Sequence, residues 1–95
     1  MSELESKVQA KILKELKKIE GLYVYKNIVT NRKGVPDICV IYLGKAIFLE
    51  VKRPGGKPTE LQKYNIEKIR EAGGMAEVVY SFEDVAKILR SIENE

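Results

Sequence analysis

Near the start of the chain, apolar side chains recur at every third or fourth position: Leu4, Val8, Ile12, Leu16 and Ile19. The lysines of this segment fall largely off that stripe, so the pattern predicts an amphipathic helix over residues 3–19, which a glycine at position 21 ends. The next residues, LYVYKN, are rich in tyrosine and valine and predict a short strand. The polar segment VTNRKG then predicts a connection.

Two longer apolar runs, DICVIYL and AIFLEVK, predict a β-hairpin. Gly44 and Lys45 lie between them, and glycine at the first position of a two-residue loop favours a type II′ turn. A turn at Leu43 and Gly44 is the alternative, and it changes which residues face each other across the hairpin. With the first turn Asp37 faces Lys52, and with the second it faces Glu50.

The remainder of the chain predicts a helix, a strand and a second helix. PGGKP forms a loop, Thr59 begins the helix, and the pair of glycines at positions 73 and 74 ends it. The apolar face of this helix comprises Leu61, Ile66 and Ile69. MAEVVY predicts a strand, and Ser81 is expected to cap the last helix. The order α-β-β-β-α-β-α indicates one α/β domain over residues 1–95.

Both hairpin turns leave Asp37, Glu50 and Lys52 on one face, because side chains alternate along a strand. Two carboxylates on a mostly apolar face repel each other and are costly to desolvate unless a cation lies between them. Lys52 is one candidate, as an ion pair at the edge of the sheet. A divalent metal is the other: Asp37, Glu50 and the backbone carbonyl of Val51 would hold Mg²⁺, and Lys52 would orient water or stabilise charge on a phosphate.

Composition limits the chemistry further. The chain has no histidine and a single cysteine, Cys39, which nearly excludes zinc sites and histidine-assisted nucleophiles. The formal charge is +3, and six cations against two anions lie between Lys26 and Arg53. This distribution would attract a polyanion, although a solvated lysine-rich surface explains it equally well. No apolar run approaches the roughly 20 residues of a membrane span, so a soluble cytoplasmic protein is expected.

Short motifs in this chain resemble a known family. PD at residues 36–37 and EVK at residues 50–52 look like the PD-(D/E)XK nuclease signature, and RKGVPD, FLEVKRPGGKPTELQ, AGG and SFEDV resemble its VRR-Nuc subgroup. The likeness extends from about Glu5 to about Leu89. It implies a mixed four-stranded sheet flanked by helices and cleavage of DNA with Mg²⁺ or Mn²⁺. The positions that match the family's catalytic motifs are Glu5, Asp37, Glu50, Lys52 and Gln62.

Two of these residues have an alternative role. Ser2 to Glu5 and Thr59 to Gln62 each fit a capping box, in which the fourth residue bonds back to the first. For Glu5 the sequence alone favours capping, and for Gln62 the two roles compete evenly. The resemblance moves both residues towards the active site.

The predicted function is that of a structure-selective DNA endonuclease acting on four-way junctions or other branched DNA, as a homodimer and without an organic cofactor. The expected DNA-binding residues are Lys26, Arg32, Lys33, Arg53 and Lys57. A non-cleaving nucleic-acid-binding module and a flap- or nick-directed nuclease are the alternatives. A sequence-specific restriction-type enzyme would need groove-reading elements for which 95 residues leave little room.

Overall fold

A mixed sheet lies at the centre of the fold. The computed structural model describes residues 2–28 and 32–95, so that residues 29–31 of the predicted connection VTNRKG lie outside the described part. The elements are α1 (Glu3–Leu16), β1 (Leu22–Lys26), β2 (Ile38–Tyr42), β3 (Lys45–Val51), α2 (Glu60–Glu71), β4 (Met75–Val79) and α3 (Phe82–Glu93). Across these described residues the sheet order is β1-β2-β3-β4; β1, β2 and β3 pair antiparallel, and β4 is parallel to β3. The predicted fold class and order of elements are confirmed.

The first helix begins as predicted but ends earlier, at Leu16. The amides of Lys18 and Ile19 donate to the carbonyls of Glu15 and Leu16, three residues back in each case. This spacing is that of a 3₁₀ turn, which is tighter than an α-helix. The tightened turn still carries Ile19 against the core, so the apolar stripe is longer than the α-helix itself.

The hairpin uses the turn at Leu43 and Gly44, because Tyr42 pairs with Lys45. Both turn residues have positive φ, 50° and 80°, as in a type I′ turn. The favoured type II′ turn at Gly44 and Lys45 is therefore wrong, and the alternative register is the observed one. A type I′ turn matches the right-handed twist of the two strands, and this gain outweighs the cost of a left-handed conformation at Leu43.

The two faces of the sheet are covered unequally. One face packs against α1 and α3 and forms the main core, whose largest fully buried side chains include Ile12, Leu16, Ile47 and Leu49. On the other face α2 packs against β4. The β1–β2 part of that second face carries exposed apolar side chains, which are Tyr23, Tyr25 and Ile41. Within the described residues, no helix is long and apolar enough to span a membrane.

Helix caps follow the sequence closely. Thr59 and Gln62 form the complete capping box of α2, in which the Gln62 amide donates to Thr59 Oγ1 at 3.1 Å and the Thr59 amide to Gln62 Oε1 at 2.8 Å. Ser81 Oγ accepts from the amide of Asp84 at 3.3 Å, which confirms the predicted cap of α3. Leu61, expected on the apolar face of α2, is largely exposed. It lies against Gly34.

Candidate active site

Asp37 and Glu50 meet at the end of the hairpin. Asp37 directly precedes β2, and Glu50 is the second-last residue of β3. Because Ile38 pairs with Leu49, the antiparallel register brings Asp37 opposite Glu50. The amide of Val51 donates to Asp37 Oδ2 at 2.9 Å, which fixes the orientation of the Asp37 carboxylate. The site therefore depends on the turn at the other end of the hairpin, since the other turn would have placed Lys52 opposite Asp37.

Glu50 is buried although it carries a carboxylate. Its neighbours Leu49 and Val51 point into the main core, so Glu50 points to the opposite face, yet only 1% of its surface is exposed. Burial, followed by the charge of Asp37 and the hydrogen bond with its side chain, raises the pKa of Glu50 to about 8. Burial also raises the pKa of Asp37, against the lowering effect of the Val51 amide. The pair thus resists carrying two negative charges at neutral pH.

Lys52 and Glu5 complete the cluster. Lys52 Nζ lies 3.4 Å from Glu5 Oε1 and 3.7 Å from Glu50 Oε2. The side chains of Lys52 and Glu5 are each only 13% exposed. The backbone amide of Glu5 donates to Ser2 Oγ at 3.1 Å, so Ser2 caps the helix while the Glu5 side chain reaches Lys52. The amphipathic helix α1 therefore delivers a third carboxylate to the end of β3.

The predicted ion pair of Lys52 is present, but it does not neutralise the carboxylates of the cluster or pair all of their oxygen atoms. β3 lies between β2 and β4, so the predicted location at a sheet edge is wrong. The Lys52 ammonium group pairs with Glu5 and Glu50, and its charge also acts to lower the pKa of Asp37, so one cation serves three carboxylates. In addition, Glu50 Oε1 is buried and accepts no hydrogen bond from an amide, hydroxyl or ammonium group of the described residues. An unpaired buried oxygen of this kind is costly unless a proton or a cation reaches it.

The donor atoms suit a hard cation. No group of three or more His, Cys, Asp or Glu residues that could hold a metal ion occurs among residues 2–28 and 32–95. Asp37 and Glu50 offer two carboxylates, one with the unpartnered oxygen. Mg²⁺ binds with one or two protein carboxylates and keeps several water molecules, so the Val51 carbonyl and water would complete its coordination. The residues present therefore fit Mg²⁺ or Mn²⁺ and lack the nitrogen and sulfur ligands of zinc.

Comparison with known proteins identifies the domain. A family model described as "VRR-NUC domain" matches residues 1–83. The chain belongs to the VRR-NUC family. A curated relative, "Putative nuclease p44" of Acyrthosiphon pisum secondary endosymbiont phage 1, is 33% identical over 89 residues, which cover 93% of this chain and 94% of the relative.

Two solved VRR-NUC structures have the same fold. One, titled "VRR_NUC domain", superposes with a TM-score of 0.79 at 32% identity and covers 94% of this chain and 97% of its own. The other, titled "VRR_NUC domain protein", gives a TM-score of 0.74 at 16% identity and covers 95% and 88%. The resemblance noted in the sequence is confirmed at the level of family and fold.

Gln62 is the family-matched position whose side chain has a structural role here. Its Oε1 atom accepts a hydrogen bond from the backbone amide of Thr59, and its backbone amide donates to the Thr59 hydroxyl. The structure brings Glu5, Asp37, Glu50 and Lys52 together, and it assigns Gln62 to the capping box of α2. A catalytic role of Gln62 in this VRR-NUC domain remains a prediction.

The five predicted DNA-binding residues are all exposed to solvent, and they lie in the segments that precede Asp37 and follow Lys52 in the sequence. Lys26 ends β1, and Arg32 and Lys33 precede the glycine at position 34. Arg53 and Lys57 flank a turn in which the amide of Gly56 donates to the Arg53 carbonyl at 2.8 Å. Residues 53–57 thus form a closed turn that presents two cations, Arg53 directly after Lys52 and Lys57 at the far side of the turn.

Two buried polar residues were missed by sequence reasoning. Asn65 of α2 donates through Nδ2 to the carbonyls of Lys33 at 3.2 Å and Leu61 at 3.0 Å, and so ties the basic segment to the helix. Gln9 of α1 is 2% exposed, and its Nε2 atom lacks a hydrogen-bond partner among the described residues. Gln9 lies one helical turn after Glu5, and its position on the buried side of the helix is a signal that the sequence did contain.

Proposed function

We propose that this VRR-NUC domain is a nuclease that hydrolyses DNA phosphodiester bonds with Mg²⁺ or Mn²⁺, and that it selects branched DNA, four-way junctions above all. The observation that carries the proposal is the buried pair of Asp37 and Glu50 beside Lys52, with one carboxylate oxygen left unpartnered. Such a pair is destabilising in a protein that only needs to fold. It is useful where a divalent cation must be bound close to phosphate.

The metal would be held by Asp37, Glu50 and the Val51 carbonyl. When bound, Mg²⁺ or Mn²⁺ supplies Lewis-acid stabilisation of phosphate charge and lowers the pKa of a bound water molecule. The protein's own contribution begins with orientation. The Val51 amide holds Asp37 through Oδ2, and burial on the sheet holds Glu50 in one position.

Lys52 has the geometry of an electrostatic stabiliser. Its ammonium group is held between Glu5 and Glu50, at 3.4 and 3.7 Å, and is largely shielded from water. A cation held in a partly buried site interacts strongly with negative charge that develops on a scissile phosphate. Glu5 acts through Lys52 by restraining the ammonium group. These roles explain why three acids and one lysine converge on one strand end.

A homodimer would supply the two symmetric cuts that resolution of a four-way junction requires. Support comes from the uncovered part of the sheet, where Tyr23 is 62% exposed and Ile41, its partner in the β1–β2 ladder, is 46% exposed. Tyr25 extends the same apolar surface. A second copy of the chain would bury these side chains from water and gain hydrophobic stabilisation.

The two alternatives differ in how well they fit the site. A non-cleaving nucleic-acid-binding module would gain nothing from Asp37 and Glu50, because two carboxylates repel a phosphate backbone unless a cation lies between them. A flap- or nick-directed nuclease would need the same acidic cluster but only one site. The two nucleases differ in assembly and in the pairing of their cuts, which the experiments below measure.

The first experiment incubates labelled four-way junction, flap, linear duplex and single strand with the protein in Mg²⁺, Mn²⁺ or EDTA. Cleavage of the junction by paired symmetric nicks, dependent on the metal, is expected. Asp37→Asn should abolish cleavage and should remove Mn²⁺ binding in titration calorimetry, because a metal carboxylate is lost. Mn²⁺ binding equal to that of the parent would refute the ligand assignment, and equal cleavage of all substrates would refute the preference for branched DNA.

The second experiment measures assembly by sedimentation equilibrium at micromolar concentration. Ile41→Lys should produce a monomer, because it introduces a charge into the exposed face of β1 and β2. Leu4→Lys is the matched control, since Leu4 is similarly exposed but lies on α1. A dimer that Leu4→Lys disrupts and Ile41→Lys does not would move the interface to the N-terminal helix. A parent protein that is monomeric and makes single nicks would favour the flap- or nick-directed nuclease.

A further inference from the structure

A cavity of about 290 Å³ opens between α1 and the start of α3. Lys7, Val8 and Lys11 of α1 form one side, and residues 80–83, where β4 passes into α3, form the other. This volume is near the lower limit of small-molecule pockets, roughly 300 Å³. It suits a single planar ring system better than a dinucleotide or a larger ligand.

The cavity is bordered by residues adjacent to the cluster on both of its sides. On α1, Val8 lies about one helical turn after Glu5, whose carboxylate contacts Lys52 at 3.4 Å. On β4, the Val79 carbonyl accepts the Lys52 amide at 3.0 Å, and Tyr80 follows directly. A nucleic acid with a phosphate at Asp37 and Glu50 would therefore have a neighbouring nucleotide close to this opening.

We infer that the cavity accepts one unpaired nucleobase of the DNA whose backbone lies at the acidic cluster. The inference rests on the proposed nuclease function, and it adds a base-binding subsite to it. Tyr80 and Phe82 supply aromatic surface, and Val8 supplies an apolar wall. Bases stack on aromatic side chains irrespective of sequence, which is the recognition that a structure-selective protein requires.

The charges at the mouth of the cavity favour a phosphate on its α1 side. Glu83 lines the cavity and is exposed, and together with Asp84 in the first turn of α3 it disfavours an anion on that side. On the opposite side, Lys7 and Lys11 of α1 are exposed. Lys7 is 3.7 Å from Glu3, but both side chains are largely exposed, so this pair competes only weakly with a phosphate.

Branched DNA with an unpaired nucleotide at the branch is the substrate that benefits from such a subsite. An unpaired nucleotide leaves the helix stack at much lower cost than a paired one, so a fully paired four-way junction benefits only where a base pair at the branch point opens. The subsite would therefore strengthen binding of such branched DNA without strengthening binding of intact duplex. It provides a physical origin for structure selectivity within one small domain.

The test uses fluorescence of 2-aminopurine, whose emission changes when it stacks. Two probes are prepared, a duplex with one unpaired 2-aminopurine and the same duplex with 2-aminopurine paired to thymine. Both are titrated in EDTA, which prevents metal-dependent cleavage. The parent protein should quench the unpaired probe, and Tyr80→Ala should abolish the quenching and weaken its affinity about tenfold, the size expected for loss of one stacked base. Affinity for the paired probe should change less than twofold.

Matched variants separate stacking from charge and from folding. Tyr80→Phe keeps the ring and should keep the quenching, and Tyr64→Ala removes an exposed tyrosine of α2, outside the cavity, and should also keep it. Lys11→Ala should weaken binding of the unpaired probe more than Lys14→Ala, which removes the same charge from α1 outside the cavity. Circular dichroism verifies that each variant is folded, and Lys11→Ala tests the mouth of the cavity independently of Tyr80.

The inference fails if the parent does not quench the unpaired probe, if Tyr80→Ala still quenches it, or if Tyr80→Ala weakens both probes equally. Because the assay measures binding without metal, its outcome is independent of catalysis. Quenching by the parent without any cleavage of branched DNA would refute the proposed nuclease function and support the base-binding subsite. Cleavage of branched DNA together with unchanged quenching in Tyr80→Ala would support the nuclease function and refute the subsite.

Discussion

Replacing Glu50 by glutamine should stabilise the metal-free protein at high pH and have little effect at low pH. The side chain is 1% exposed and faces Asp37, and its pKa rises from 4.5 to about 8. Each pKa unit corresponds to about 1.4 kcal/mol, so ionising Glu50 in the folded protein costs about 5 kcal/mol as an upper value. This is a large part of the 5–15 kcal/mol by which domains are typically stable.

The direction in which stability changes with pH follows from the difference in bound protons between the folded and the unfolded chain. Below the ordinary pKa of 4.5, Glu50 is protonated in both the folded and the unfolded chain, and its burial has no electrostatic cost. Between pH 4.5 and about 8 the unfolded chain ionises while the folded chain keeps the proton, so the free energy of unfolding falls as pH rises. Above about pH 8 the loss is complete. Glutamine does not ionise, so Glu50→Gln removes this contribution to the pH dependence.

Urea unfolding in EDTA at pH 5, 7 and 9 measures the effect. The free energy of unfolding of Glu50→Gln should be within about 1 kcal/mol of the parent at pH 5 and exceed it by several kcal/mol at pH 9, up to about 5. Adding Mg²⁺ or Mn²⁺ at pH 9 should stabilise the parent and not the variant. Glu20→Gln, a change at an exposed carboxylate after α1, is the control for the loss of one negative charge.

Two results would refute this reasoning. Parallel pH dependence of the parent and Glu50→Gln would show that burial does not raise the pKa of Glu50. Destabilisation by Glu50→Gln at every pH would show that Lys52, 3.7 Å away, fully compensates the carboxylate charge. In that case the cluster would be a structural ion pair.

Three further predictions concern residues around the cluster. Lys52→Ala should lower turnover by about 10² to 10³ with duplex affinity little changed, because an electrostatic stabiliser is lost; a parental rate in single-turnover cleavage would assign Lys52 to folding alone. Arg53→Ala and Lys57→Ala should instead weaken DNA binding and flatten its dependence on salt in anisotropy titrations, and an unchanged salt dependence would contradict phosphate contact. Gln62→Ala should cost about 1 kcal/mol of stability while Gln62→Glu retains it, since both Gln and Glu complete a capping box; cleavage lost in a stable Gln62→Glu would instead support a catalytic role.

Local periodicity determined most of the fold. The spacing of apolar residues predicted every helix and strand of the described chain in the right order, because burial against one core requires a period of about 3.6 in helices and 2 in strands. The same alternation placed Asp37, Glu50 and Lys52 on one face before their register was known. The two possible turns differ by two residues in strand pairing, and a shift of two residues leaves every side chain on the same face of the sheet. The cluster could therefore be predicted from the sequence although the predicted turn was wrong.

Three features of the protein depend on tertiary structure and could not be predicted from the local sequence pattern: the hairpin turn, the contact between Glu5 and Lys52, and the cavity. The choice between Gly44–Lys45 and Leu43–Gly44 depends on how the twist of both strands matches the turn, and the observed choice brings Asp37 opposite Glu50. The contact between Glu5 and Lys52 joins residues far apart in sequence through the packing of α1 near the end of β3. The cavity between α1 and the start of α3 exists only because two separate helices pack beside one strand end. Contacts of this kind depend on the relative placement of whole elements, and the sequence of each element specifies only which of its faces is buried.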